Sequence, residues 1–384
     1  MISPPGSDFR TVSVDRPFIP LMVPNITEAD IEAVAVVLRS GMLVSGSNVA
    51  ALEARTCEFM GVPYASALSN GTVTLDLALT ISGIGAGDEV IVPAFSYMAT
   101  ANVVEHVGAR PIFVDINAAT FNIDPTLIEA AITPRTKAII PVHEFGMSAP
   151  MDAIMSIAEK HGLIVIEDAA CALGATIGGR FAGSYGRFAS FSLHPRKAIT
   201  SGEGGLLVCA NAGDAEQIAI LRNHGVQMQD GVMEFVANGY NYRLTDFQAA
   251  LVLSQMARLE DIIAYKNELA QIYLTSLRGL PLRLPDVPDG YRHTWQTFHT
   301  VVPDSMDRDG LIAQLKTRGI GANYGAQCMP YMQVFQKKYG LDCVALFPHA
   351  LRAYKQGLAL PLYDKMSVDD VSYVAETFAE LIRH

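Results

Sequence analysis

Residues Ile164–Gly174 read IVIEDAACALG, and residues Phe188–Cys209 read FASFSLHPRKAITSGEGGLLVC. The first opens on an apolar run, Leu163 to Ile166, that reads as a buried parallel strand. Asp168 therefore falls at the C-terminal end of that strand, where open α/β sheets bind ligands. The second opens on a short apolar segment, Phe188 to Leu193. It carries Lys197 into a turn marked by Pro195, Gly202, Gly204 and Gly205. A lysine held in a turn can form a Schiff base, and a carboxylate can keep a pyridinium nitrogen protonated. One cofactor uses both, pyridoxal phosphate. Each residue has an ordinary alternative: an aspartate at a strand end is a common helix N-cap, and most lysines are solvated surface charges.

Outward from this stretch, apolar runs alternate with helical patterns. Strands are expected at Ala65 to Leu68, Glu89 to Val92, Arg110 to Val114, Lys137 to Val142, Leu163 to Glu167, Phe188 to Leu193 and Gly205 to Cys209. Helices are expected at Val73 to Ile81, Met98 to Val107 and Met151 to Lys160. This order predicts an α/β fold with a mostly parallel sheet covered on both faces. An earlier helix, Thr27 to Leu38, starts at a Thr-x-x-Asp cap and stops at Ser40-Gly41. Thr245-Asp246-Phe247-Gln248 has the form of a capping box and opens a long helix reaching about Ser276. Beyond it lie a proline-rich connection (Pro281, Pro285, Pro288), the stretch HTWQTFHTVVP and a helix near Arg308 to Thr317, read as a smaller α+β domain. The expected division is an arm over 1–20, a large domain over 21–258 and a small C-terminal domain over 259–384.

A chain of 384 residues exceeds the size at which one core stops growing, which is why two domains are expected. Half the residues are apolar and 17% are charged, a globular composition. The formal charge of -11 argues against nucleic acid as a partner, since a basic stripe is the usual footprint there. The five cysteines, Cys57, Cys171, Cys209, Cys328 and Cys343, have no paired spacing, so neither a metal site nor a disulfide framework is expected, and a reducing cytoplasm fits. The N-terminus does not read as a secretion signal, and no apolar run approaches the roughly 18 residues of a membrane span.

Ser69-Asn70-Gly71-Thr72 lies between a strand and a helix, where free backbone N–H groups suit a phosphate and where a plain N-cap is the alternative. Gly83-Ile84-Gly85-Ala86-Gly87 precedes a strand instead of following one, so it is a turn and not a dinucleotide fingerprint. There is no G-x-x-x-x-G-K-[ST] motif. The dispersed histidines, among them His143, His224 and His293, read as structural hydrogen-bonding groups.

The string from Phe191 to Gly205, FSLHPRKAITSGEGG, resembles the lysine signature of the DegT/DnrJ/EryC1/StrS family of sugar aminotransferases, and Glu167 to Gly174 resembles its cofactor-aspartate motif. The resemblance runs from Ser40-Gly41 to Pro361-Leu362. It implies the aspartate aminotransferase-like fold type I of pyridoxal phosphate enzymes, with Lys197 as the catalytic residue and Asp168 at the cofactor's ring nitrogen. By the same resemblance Gly71, Thr72 and Ser192 take the cofactor phosphate, Tyr97 stacks on its ring, and Asn241 reaches the phosphate from a neighbouring subunit of a homodimer. Cys171 stands where the family often has Gln or His beside the phenolic oxygen, and a thiol is a weak hydrogen-bond partner there.

The implied reaction moves an amino group from an amino-acid donor, glutamate by resemblance, to a nucleotide-linked keto-sugar. The His-Pro-Arg-Lys and Gly-Glu-Gly-Gly wording is closer to members that aminate C4. Tyr324, Gln327 and Tyr331, in the polar and aromatic stretch GANYGAQCMPY, are expected to form part of the acceptor pocket. The competing readings are a sugar dehydratase on the same fold, against which Lys197 argues, and a catalytically silent regulator.

Overall fold

The computed structural model describes residues 16–383, so residues 1–15 of the expected arm and His384 lie outside it. Seven strands form the central sheet in the order Tyr64–Leu68, Gly205–Cys209, Phe188–Ser192, Ile164–Asp168, Thr136–Ile139, Glu89–Pro93, Arg110–Val114. Gly205–Cys209 runs antiparallel to both its neighbours, and the other four pairings are parallel. The expected mostly parallel sheet is therefore present, with one reversed strand.

Side chains alternate between two buried faces, as the two-residue period of a strand requires. Val90, Val92, Ala138, Ile166, Phe188 and Leu207 join one core. Their neighbours Ile91, Ile139 and Val165 join another on the opposite face, and Ala189, Leu206 and Val208 a third. Apolar side chains on successive residues are what a doubly covered sheet demands.

Two expected boundaries shift for identifiable reasons. The strand expected over Lys137 to Val142 ends at Ile139, because Pro141 has no N–H to give the ladder; Val142 returns as an isolated bridge to Asp168. The single long helix expected from Asp246 to Ser276 is two helices, Asp246–Met256 and Leu259–Ser276. Between them Arg258 leaves the helical region (φ -116°, ψ 11°). Its guanidinium reaches Asp30 Oδ2 at 2.6 Å and the Asn25 carbonyl at 2.9 Å. Burial pushes the Asp30 carboxyl up, but the hydrogen bonds from Arg258 and Thr27 outweigh it and hold the group down at about 2. No glycine or proline marks this break.

The helix Glu28–Ser40 starts and stops where the sequence places it: Thr27 N–H donates to Asp30 Oδ2 at 2.8 Å, and Gly41 takes the left-handed conformation (φ 73°) that ends the helix. A further core gathers Leu269, Tyr273, Trp295, Phe298, Leu315, Leu360 and Phe378 around the antiparallel pair Phe298–Val301 and Gly357–Leu360. The helix Arg308–Thr317 packs there with bounds as expected, and Ile19 is buried in the same core, its N–H donating to Gly319 O at 2.8 Å. Among the described residues, no helix is long and apolar enough to cross a membrane.

Candidate active site

Asp168 ends its strand with its side chain buried. Its carboxylate accepts from Thr100 Oγ1 at 2.8 Å and from the Ala170 N–H at 3.2 Å. Thr100 sits in the first turn of the helix Ala99–His106, 3.3 Å from Ser96 Oγ. Burial raises the Asp168 carboxyl above the usual range, with the Thr100 hydrogen bond opposing it. A buried carboxylate supplied with two neutral donors is suited to one cationic N–H more.

Lys197 is presented by a turn that is braced from several sides. Its own N–H donates to His194 O at 2.9 Å, and Ser201 N–H and Thr200 Oγ1 both donate to Leu193 O (3.0 and 2.7 Å). Gln255 clamps Thr200 through both ends of its amide, at 3.0 and 2.7 Å. Gln296 Nε2 holds the Arg196 carbonyl at 3.1 Å. So braced, Lys197 Nζ donates to Cys171 Sγ at 3.1 Å. Burial pushes the Cys171 thiol up, with Lys197 pulling the other way.

At the other end of the site, Asn70 caps the helix Gly71–Ile81 by accepting the Val73 N–H at 3.0 Å, so the preceding first-turn N–H groups face out along the positive end of the helix dipole. Ser192 lies against this turn: a Cβ added to Gly71 would come within 3.0 Å of Ser192 Cβ. Gly205 allows the backbone approach from the next strand, since a Cβ there would meet the Asn70 carbonyl at 2.6 Å. The result is a small cradle of N–H groups and one hydroxyl.

The structure thus brings Asp168, Lys197 and Cys171 to one centre and sets Gly71, Thr72 and Ser192 together at a cradle. Pyridoxal phosphate fits this arrangement: an acid for its ring nitrogen, an amine for its aldehyde and an anion cradle for its phosphate. Tyr97 follows the strand Phe95–Ser96 and is 70% exposed, leaving its ring free to face a ligand. Asn241 is exposed and bridges Asn223; among the described residues its side chain hydrogen-bonds to nothing in the Gly71 or Lys197 turns of its own chain. Gln327 pairs opposite Ser96, its amide 3.3 Å from the Tyr324 hydroxyl, and its Oε1 is buried without a partner among the described residues. Tyr324 therefore joins Gln327 beside the Ser96–Tyr97 edge. Tyr331 lies beyond, in the turn Met329–Tyr331, and the Tyr324 and Tyr331 rings both pack on Tyr354.

Sequence reasoning missed Thr100 and Glu144. Thr100 carries no signal in one sequence. Glu144, between the apolar residues Val142 and Phe145, is a buried acid that nothing in its spacing singles out. His143 is structural as expected: Nε2 pairs with Glu167 at 2.9 Å and Nδ1 accepts the Ala149 N–H at 2.9 Å.

The sequence model of the DegT/DnrJ/EryC1/StrS aminotransferase family matches residues 24–379. The spore coat polysaccharide biosynthesis protein SpsC of Bacillus subtilis (strain 168) is 38% identical over 380 residues, 95% of this chain and 97% of that protein. Among solved structures, Spr1654 of Streptococcus pneumoniae in its PLP form superposes with a TM-score of 0.91 at 31% identity, covering 95% of this chain and 99% of that one. Helicobacter pylori PseC, an aminotransferase involved in the biosynthesis of pseudoaminic acid, does so with a TM-score of 0.89 at 26% identity, covering 95% and 99%.

Proposed function

This chain belongs to the DegT/DnrJ/EryC1/StrS aminotransferase family, with pyridoxal phosphate as cofactor and the type I fold, and from that premise we propose that it aminates a nucleotide-linked keto-sugar. The observation that carries the site assignment is the hydrogen bond of Lys197 Nζ to Cys171, in a buried centre that also holds Asp168. Glutamate is the proposed donor and C4 the proposed carbon. The identity with SpsC supports a role in making a sugar for a surface polysaccharide.

Bound here, pyridoxal phosphate supplies an aldehyde carbon that takes up the amino group and a ring that accepts an electron pair. Asp168 pairs with the ring N–H and, as an anion, keeps that proton in place. The Lys197 amine takes the proton from the donor's α-carbon and returns one to the cofactor's C4′; in the second half it moves protons in reverse toward the sugar. Ser192 Oγ and the N–H groups of Gly71 and Thr72 anchor the phosphate. The Tyr97 ring supports the cofactor's face, Cys171 lies beside Lys197, and Tyr324, Gln327 and Tyr331 face the acceptor.

The site is completed in a homodimer, with the partner subunit's Asn241 reaching the phosphate. Exposed apolar side chains support this: Met42, Leu43 and Val44 after the first helix, and Met233 and Phe235 on the hairpin Val226–Gln229/Val232–Phe235. Free thiols at all five cysteines fit work in the cytoplasm. We propose the boundary between the large and small domains at Leu259.

Mixing two variants, assayed at a pyridoxal phosphate concentration low enough that neither is active alone, tests the shared site. Lys197→Ala and Asn241→Ala proteins, dissociated and reassociated together, form hybrids with one intact site and regain activity with glutamate and a keto-sugar nucleotide. No recovery in verified hybrids contradicts the shared site. Activity of unmixed Lys197→Ala equal to wild type contradicts the assignment of the lysine.

A further inference from the structure

The roles above leave Glu144 unused, although its chain enters the site at the level of Asp168. The preceding residue, His143, donates its N–H to the Asp168 carbonyl at 3.0 Å. The Glu144 backbone is pinned by Asn122, whose Oδ1 accepts its N–H at 2.8 Å. Phe145 and Gly146 then both turn left-handed (φ 56° and 101°), and their carbonyls accept the N–H groups of Gln296 (2.8 Å) and Thr294 (2.9 Å). A phenylalanine in that conformation is strained and persists only where its surroundings hold it. No Cβ could replace the glycine hydrogen at Gly146, where it would meet Thr294 Oγ1 at 2.3 Å and the Cys171 carbonyl at 3.0 Å.

So fixed, the Glu144 side chain is buried with its carboxyl beside the Ser96 hydroxyl, and among the described residues its Oε2 has no hydrogen-bond partner. Buried polar atoms are almost always paired, so an orphan beside a ligand site points to the ligand. The charged and titratable groups facing it are Asp168, Lys197 and the Cys171 thiol. Burial, with the charge of Asp168 added and Lys197 opposing, pushes the Glu144 carboxyl up to about 8. A carboxyl so raised is biased toward its protonated form, which is a hydrogen-bond donor.

The cofactor offers four polar groups. Its ring nitrogen falls to Asp168, its phosphate to the Gly71–Ser192 cradle and its aldehyde to Lys197. The phenolic oxygen, next to the aldehyde on the ring, has only the weakly bonding Cys171 thiol, which already accepts from Lys197. We propose that Glu144, as a neutral acid, donates a hydrogen bond to the phenolic oxygen of pyridoxal phosphate and thereby sets the basicity of the nitrogen that links Lys197 to the cofactor. This rests on the reading of the chain as a pyridoxal phosphate enzyme. A donor on that oxygen draws charge away from the linkage nitrogen, which then holds its proton less tightly. Ionised Glu144 does the reverse.

The test is a spectroscopic pH titration of the visible band in wild-type, Glu144→Gln and Glu144→Leu holoenzymes. Glu144→Gln keeps a donor that cannot ionise; Glu144→Leu removes it. The Leu variant titrates about one pH unit above the Gln variant and binds pyridoxal phosphate about tenfold more weakly. Wild type follows the Gln variant at low pH and titrates later than it as Glu144 ionises. Superimposable curves for Glu144→Gln and Glu144→Leu overturn the proposal, and Glu144→Met takes the place of the Leu variant if that one does not fold. A wild type with no visible band fails at the earlier step, the cofactor reading itself, and is recognised without either variant.

Discussion

Glu167 and Asp168 are neighbours on one strand and lie on opposite faces of the sheet, and their surroundings differ in kind. Glu167 accepts from the N–H groups of Gly183, Tyr185 and Gly186, each at 2.7 Å, and pairs with His143 at 2.9 Å. A carboxylate has about four acceptor positions, and here all are taken. The loop around it is closed: a Cβ on Gly183 would come within 2.4 Å of Phe191 Cζ, and one on Gly186 within 2.6 Å of the Val165 carbonyl. Asp168, one residue on, accepts from two donors, which leaves acceptor positions on its carboxylate free. Two buried acids one residue apart thus divide into one that holds the loop 183–186 and one that awaits a cation.

Replacements that separate chemistry from architecture break or sharpen this contrast. Lys197→Ala should lose about 10⁴-fold in transamination rate while melting near wild type, read by single-turnover kinetics and calorimetry. Asp168→Asn should lose about 10³-fold in rate, because the ring no longer has an anion to keep its proton, and should still fold. Glu167→Gln should do the opposite. It sets an amide donor against backbone donors and should cost about 3 kcal/mol in denaturant unfolding, with little change in rate per folded site. A Glu167→Gln enzyme that is stable but slow would erase the distinction.

The acids on the cofactor side also set a pH dependence. Glu144 titrates at about 8 in the folded chain against an ordinary value of 4.5. Between those values the folded protein binds more protons than the unfolded one, so stability falls as pH rises through the window. Asp168, also raised by burial, acts in the same direction. Without cofactor, the melting temperature should therefore decline from about pH 4.5 to about pH 8, and Glu144→Gln should flatten the decline. The smallest effect expected is that of Ser192→Ala, about tenfold in pyridoxal phosphate affinity from one lost hydrogen bond to a charged group, with rate at saturation kept.

Much of this arrangement is legible in the chain because its signals are local. The strand ending at Asp168, the Asn70-capped helix and the glycines around Lys197 each follow from short-range pattern, and the helix Arg308–Thr317 falls where periodicity puts it. What escapes the sequence depends on partners far along the chain. The break at Arg258 answers to Asp30, 228 residues away, and Thr100 meets Asp168 across 68 residues. Glu144 is illegible for the same reason: its burial beside Lys197 is produced by the 293–297 segment holding Phe145 and Gly146 in place. The reversed strand Gly205–Cys209 is as apolar as the parallel strands of the sheet, so composition cannot report its direction.

The most direct measurement is the absorbance spectrum of the purified protein with pyridoxal phosphate, before and after an amino donor such as glutamate, beside Lys197→Ala. The expected result is a visible band in wild type that is lost when the donor is added, and no such lysine-dependent band in the variant. An identical band in both proteins, or none in wild type, would contradict the assignment of Lys197 and with it the account of the site.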